Sequence, residues 1–158
     1  MLLVAGCASE GPVSVDSGRV ARVADGDTLR LEDGRRVRLV QIDAPEAAAE
    51  CWGVEALRQL AELAPAGSSV RLERDPSLDD RDRFGRLLRY VHVDGRNLNA
   101  LLVERGAAAP YFYRGERGRH ADELDARARA ARGARRGLWG ACPRARLVPG
   151  RALAAGPP

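Results

Sequence analysis

Apolar and polar residues alternate along Arg19–Ala24, Thr28–Glu32 and Arg36–Ile42, a period of two that predicts three strands, each turning one face to a core. Asp25-Gly26 and Asp33-Gly34 separate the runs, and both dipeptides suit tight hairpins, so the strands are expected to pair antiparallel. The period then lengthens. Val54, Leu57, Leu60, Ala61 and Leu63 form one helical stripe over Val54–Ala64, stopped by Pro65-Ala66-Gly67. Alternation returns in Ser69–Arg74 and in Arg86–Val93, which turns at Asp94-Gly95. Asn97–Arg105 reads as a short helix closed by Gly106, Tyr111-Phe112-Tyr113 as extended chain, and His120–Arg132 as a third helix rich in good helix formers.

Length and composition narrow the picture. A chain of 158 residues, 45% of them apolar, is long enough for one buried core. The domain is expected over 19–142, after a linker rich in small residues and before a disordered basic tail at 143–158. The fold class expected is α+β, mainly β: a five-stranded OB-fold barrel with about three helices. No apolar run of helical membrane-spanning length occurs, and neither heptads nor a broad apolar helix face point to a partner subunit, so a monomer is expected.

All 26 basic side chains are arginine, a residue that forks onto phosphate through two hydrogen bonds. Their placement is uneven: residues 1–113 carry 15 Arg against 18 acids, net −3, and residues 114–158 carry 11 Arg against 4 acids, net +7. A polyanionic partner accounts for such a basic end, and so does a solvated arginine-rich helix face.

Three cysteines, Cys7, Cys51 and Cys142, and two histidines, His92 and His120, show no zinc-ligand spacing. The start, Met1 to Cys7, is similar to the end of a bacterial lipoprotein signal but lacks its basic region and longer apolar run. If the chain is exported, secreted or lipid-anchored at Cys7, then Cys51 and Cys142 remain to pair in an oxidising compartment. In a reducing one they would be free thiols.

Strand pairing supplies the first candidate chemistry. Placing Leu29 opposite Leu39 and Leu31 opposite Val37 keeps one face apolar and sets Asp27 opposite Gln41, with Asp43 about 7 Å further along the same edge. Two carboxylates at one rim repel unless a cation lies between them, and oxygen donors suit a hard ion such as Ca²⁺ or Mg²⁺. The same alternation puts Arg38 on the face opposite Asp43.

Asp25-Gly26-Asp27-Thr28, Arg38 to Glu46 (RLVQIDAPE), Gly53-Val-Glu55-Ala56 and Asp82-Arg-Phe84-Gly85-Arg86 occur in the order seen in the staphylococcal nuclease family, which the chain resembles from about Arg19 to Trp139. The resemblance implies a calcium-dependent nuclease that hydrolyses DNA and RNA with little sequence preference and leaves 3′-phosphates. Asp27, Asp43 and the backbone carbonyl of Ala44 would be the Ca²⁺ ligands, with Ala44 standing where the best-known member has threonine. Glu46 matches the general base, Arg38 and Arg86 the phosphate-binding arginines, and Tyr111 and Tyr113 the tyrosines lining the nucleotide pocket. Simpler roles compete: Arg86 pairing with Asp82 in a turn, a tyrosine packing in the core, Arg38 and Glu46 as surface charges. A non-catalytic OB-type nucleic-acid-binding module is the alternative function. The loop from Glu46 to Gly53 is shorter than in the best-known member and holds no basic residue.

Overall fold

The structure, a computed structural model, describes residues 16–147 and 153–157. Cys7 and the signal-like start lie outside the described residues. Alternation builds a closed barrel from five strands: β1 (Asp16–Asp25), β2 (Thr28–Leu31), β3 (Arg36–Leu39), β5 (Ser69–Glu73) and β6 (Leu87–Val93). Neighbours pair antiparallel except β3 and β6, whose parallel pairing closes the ring. A short β4 (Ile42–Asp43) leaves the barrel beyond β3 and pairs with β8 (Ala109–Pro110), and β7 (Arg96–Asn97) turns back and pairs antiparallel with the end of β6.

Leu29, Leu31, Val37, Leu39, Leu72 and Val91 are all at most 2% exposed and fill the interior. Helix α1 (Gly53–Leu63) buries Gly53, Ala56, Leu60 and Leu63, and α2 (Leu98–Glu104) buries Leu98, Leu102 and Val103. Truncating a residue such as Leu60 to alanine costs about 2–5 kcal/mol in a core of this kind. Helix α3 (Ala121–Gly133) packs across α2 through Leu124 and Ala128, and the four-residue α4 (Leu138–Ala141) begins a second apolar cluster with Ala109, Cys142 and Leu153.

Four local expectations change. The β2–β3 register is two residues off: Leu29 faces Val37, because the Asp33-Gly34 turn closes directly on Leu31 and Arg35. Val54 is 71% exposed, since Gly53 takes the inward position against the Glu46 carbonyl and turns its neighbour to solvent. Tyr113 opens a 3-10 turn over Tyr113–Gly115, with Arg114 at φ 54°, so the tyrosine segment is not extended throughout. The end of the chain is ordered where described: β9 (Arg146–Leu147) pairs with β10 (Leu153–Ala154), and Leu153 and Ala155 are buried. A Cys51–Cys142 disulfide and the apolar cluster beside it hold this segment, which composition alone assigned to disorder.

Candidate active site

The Asp25-Gly26 turn delivers Asp27 to the rim of the barrel. A Cβ on Gly26 would lie 2.8 Å from the Ala44 Cβ and 2.9 Å from the Ala56 Cβ, so the turn needs glycine in order to pack on the loop after β4 and on α1. Gly53 is fixed similarly, because a Cβ there would lie 2.1 Å from the Glu46 carbonyl oxygen. Three separate stretches of the chain thus interlock around Asp27, Asp43 and Glu46.

Gln41 resolves the conflict over Arg38. Its backbone is left-handed, φ 64°, which breaks the strand between Leu39 and Ile42 and returns Asp43 to the side of Arg38. The Arg38 Nη2 donates to Asp43 Oδ1 at 3.0 Å and lies 3.1 Å from Asp27 Oδ2, while Nη1 donates to the carbonyls of Leu39 and Ile42 at 2.8 Å each. Two largely buried carboxylates therefore share one guanidinium nitrogen. Burial pushes the Asp43 carboxyl up to about 6; Arg38 opposes the shift and Asp27 adds to it.

The remaining oxygens are held as well. Asp27 Oδ2 accepts the Ala44 N–H at 3.0 Å, Asp27 Oδ1 accepts the Thr28 hydroxyl at 2.9 Å, and Asp43 Oδ2 accepts the Leu153 N–H at 2.8 Å. Arg86 reaches Thr28 Oγ1 with Nη1 at 3.4 Å, and its Nε donates to Asp82 Oδ2 at 2.6 Å. Asp82 Oδ1 also accepts the N–H groups of Phe84 and Arg86, which makes the Asp82–Arg86 stretch a self-capped loop that presents its arginine.

Arg38, Arg86, Tyr111 and Tyr113 line one cavity of about 500 Å³, together with Arg81, Arg83, Phe84 and Arg114. Tyr113 is 52% exposed, so it is available for stacking and is not a core residue. Glu46 stands apart from this group. Its side chain is exposed and has no hydrogen bond or ion pair among the described residues; its backbone N–H donates to Glu50 Oε2 at 2.9 Å.

The donor set fits a hard divalent cation. Two carboxylates already converge on a positive centre, and calcium takes six to eight oxygens, leaving room for the Ala44 carbonyl, water and a substrate phosphate. Among the described residues no three acids, histidines or cysteines gather closely enough to form a cage by themselves.

Three contributors escaped the sequence reading. Gln41 is buried; its side chain donates to the Glu116 carbonyl at 2.9 Å and accepts the Gly118 N–H at 2.8 Å, and its carbonyl accepts the Tyr111 N–H. Asn99, fully buried, accepts the Val91 N–H at 3.0 Å and donates to the Val40 carbonyl at 2.8 Å, tying α2 to β6 and to the residue that follows the strand of Arg38. A polar residue inside an apolar run was the signal in both cases. The third, the Leu153 N–H, is a main-chain group and left no signal.

Comparison with known proteins agrees with this geometry. A family model described as staphylococcal nuclease homologue matches residues 36–141. The chain is 38% identical over 128 residues to an uncharacterized endonuclease of Escherichia coli O157:H7, covering 77% of this chain and 76% of that one. It is 35% identical over 111 residues to the micrococcal nuclease of Shigella flexneri, covering 63% and 60%, and 34% identical over 112 residues to the thermonuclease of Staphylococcus intermedius, covering 66% of each.

Proposed function

The chain belongs to the staphylococcal nuclease family and is a phosphodiester-cleaving nuclease, and from that premise we propose that it uses calcium to hydrolyse both DNA and RNA with little sequence preference, leaving 3′-phosphates. The observation that carries the reading is the convergence of Asp27 and Asp43 on Arg38 at the wall of a cavity that also holds Arg86, Tyr111 and Tyr113.

Each residue has a task that its surroundings suit. Asp27, Asp43 and the Ala44 carbonyl would hold the calcium, which would supply positive charge to a phosphate oxygen. Glu46, exposed and unpaired among the described residues, is free to take a proton from the attacking water. Water adds to phosphorus, the bond to the 5′-oxygen breaks, that oxygen leaves with a proton, and the phosphate stays on the 3′ side. Arg38 and Arg86 meet the charge that grows on the phosphoryl oxygens, where loss of one preorganised donor costs roughly 10²–10³ in rate. Tyr111 and Tyr113 receive the nucleotide, and stacking on an aromatic face accepts any base.

Export is part of the proposal. The Cys51–Cys142 disulfide favours an oxidising compartment, and secretion or a lipid anchor at Cys7 would place the chain there as a monomer. The test is digestion of plasmid DNA and of RNA with calcium or with chelator, followed by analysis of product ends. Cleavage only with calcium, with 3′-phosphate ends, is expected. Binding without cleavage in calcium would make the protein a nucleic-acid-binding module.

A further inference from the structure

The family match ends at residue 141, yet the chain beyond it returns to the acid rim. Three contacts converge there. The Leu153 N–H donates to Asp43 Oδ2 at 2.8 Å, across 110 residues of sequence. The Cys51 N–H donates to the Gly156 carbonyl at 2.9 Å, and the Ala155 N–H reaches Glu50 Oε1 at 3.5 Å. The Cys51–Cys142 disulfide lies in the same apolar cluster, where the buried Leu153 side chain packs with Ala109, Leu138 and Cys142. Both strips of backbone that carry the reactive acids are therefore touched: Asp43 on β4, and the Glu46–Gly53 loop through Glu50 and Cys51.

Resting on the nuclease reading above, we propose that residues 153–156 form a positioning strap whose Leu153 N–H holds one Asp43 oxygen so that the other faces the cation. A carboxylate ligand with its second oxygen fixed by a donor loses rotational freedom before the metal arrives, and such outer contacts typically account for about 10–100-fold in metal affinity. Arg38 cannot fill this role alone. It grips the Oδ1 side of Asp43 and competes with the cation, whereas the Leu153 N–H occupies only Oδ2. The Cys51–Cys142 bridge adds a covalent tie between this cluster and the loop that carries Glu46, beside the hydrogen bonds from Cys51 and Ala155.

Leu153→Pro and Leu153→Ala separate the hydrogen bond from the packing. Proline removes the N–H, while alanine keeps it and trims the buried side chain. In oxidised full-length protein, calorimetric calcium titration should show Leu153→Pro about 10-fold or more weaker than wild type and Leu153→Ala within about 3-fold of it. Binding of labelled single-stranded DNA in chelator should be unchanged in both. Hydrogen exchange provides a readout independent of metal and cleavage: the Leu153 amide should be protected in wild type and exchange faster in Asp43→Ala. Fast Leu153 exchange in wild type would overturn the strap whatever the enzyme does, and so would tighter or unaltered calcium binding by Leu153→Pro. If wild type binds no calcium while Leu153 is protected by Asp43, the calcium reading fails and the contact itself stands.

Discussion

Two clusters of charge sit on this barrel with opposite balance. At the rim, Asp27 and Asp43 share the Arg38 guanidinium, two acids for one cation, and burial holds the Asp43 carboxyl up near 6. Beside α3 the ratio is inverted: Glu73 alone contacts His92 at 2.7 Å, Arg119 at 3.1 Å, His120 at 3.3 Å and Arg71 at 3.8 Å. Burial pushes Glu73 up as well, but the hydrogen bonds from His120 and His92 outweigh it and hold the carboxyl below its usual range. In the second cluster the carboxylate is saturated with donors, and the cluster knits β5, β6 and α3. The first has an excess of negative charge that a bound cation would relieve. A site that does chemistry is recognised here by what its charges lack, not by how many there are.

The largest expected effect separates chemistry from structure at the rim. Glu46→Gln should lower kcat by about 10²–10³ in a plasmid-cleavage assay while leaving the thermal midpoint unchanged, because its carboxylate supports no contact among the described residues. An active Glu46→Gln enzyme would remove Glu46 from the mechanism.

Glu73→Gln is the converse. It should cost about 1–3 kcal/mol of stability in urea unfolding, since two histidines and Arg119 lose a charged acceptor, with kcat of the folded enzyme preserved. A drop in kcat at full folding would join the two clusters functionally.

Neutralising one crowded acid should act with the opposite sign. Asp43→Asn in metal-free protein is expected to raise the thermal midpoint by about 3 °C at pH 7 while abolishing calcium binding. A lower midpoint would show that Arg38 already compensates the pair.

The mildest test is pH. Burial and Arg71 keep His92 below its usual 6.5, so the unfolded chain takes up that proton first and stability declines as pH falls from about 6.5. Glu73, Asp75 and Asp82 are held below their usual values, so their contributions are full above pH 4.5 and are lost as pH falls through the native values. Asp43 works against the first step, because its raised carboxyl takes up a proton in the folded chain near pH 6. Unfolding midpoints of Asp43→Asn measured from pH 7 to pH 3 should therefore show both steps, and adding Glu73→Gln should flatten the lower one.

Local chemistry made much of this legible. The five barrel strands follow from alternation and the hairpins from Asp-Gly pairs, and the spacing of the motifs that carry the candidate site residues has a cause in the packing of Gly26 on Ala44 and Ala56. What escaped was decided over long range. The left-handed Gln41 breaks the parity that set Arg38 against Asp43, and nothing local demands that conformation of glutamine. His120 has no acid partner within its own turn except Glu123, and its other partner, Glu73, comes from a distant strand. The tail reads as disordered because Pro, Gly and Arg dominate it, while its described residues are held by a bridge and one buried leucine.

Calcium titration into metal-free protein tests the shared-cation claim most directly. One site per chain is predicted, lost in Asp27→Ala and in Asp43→Asn and retained in Glu46→Gln. Undiminished calcium binding by Asp27→Ala would contradict the account, because the cation would then lie somewhere other than between the two rim carboxylates.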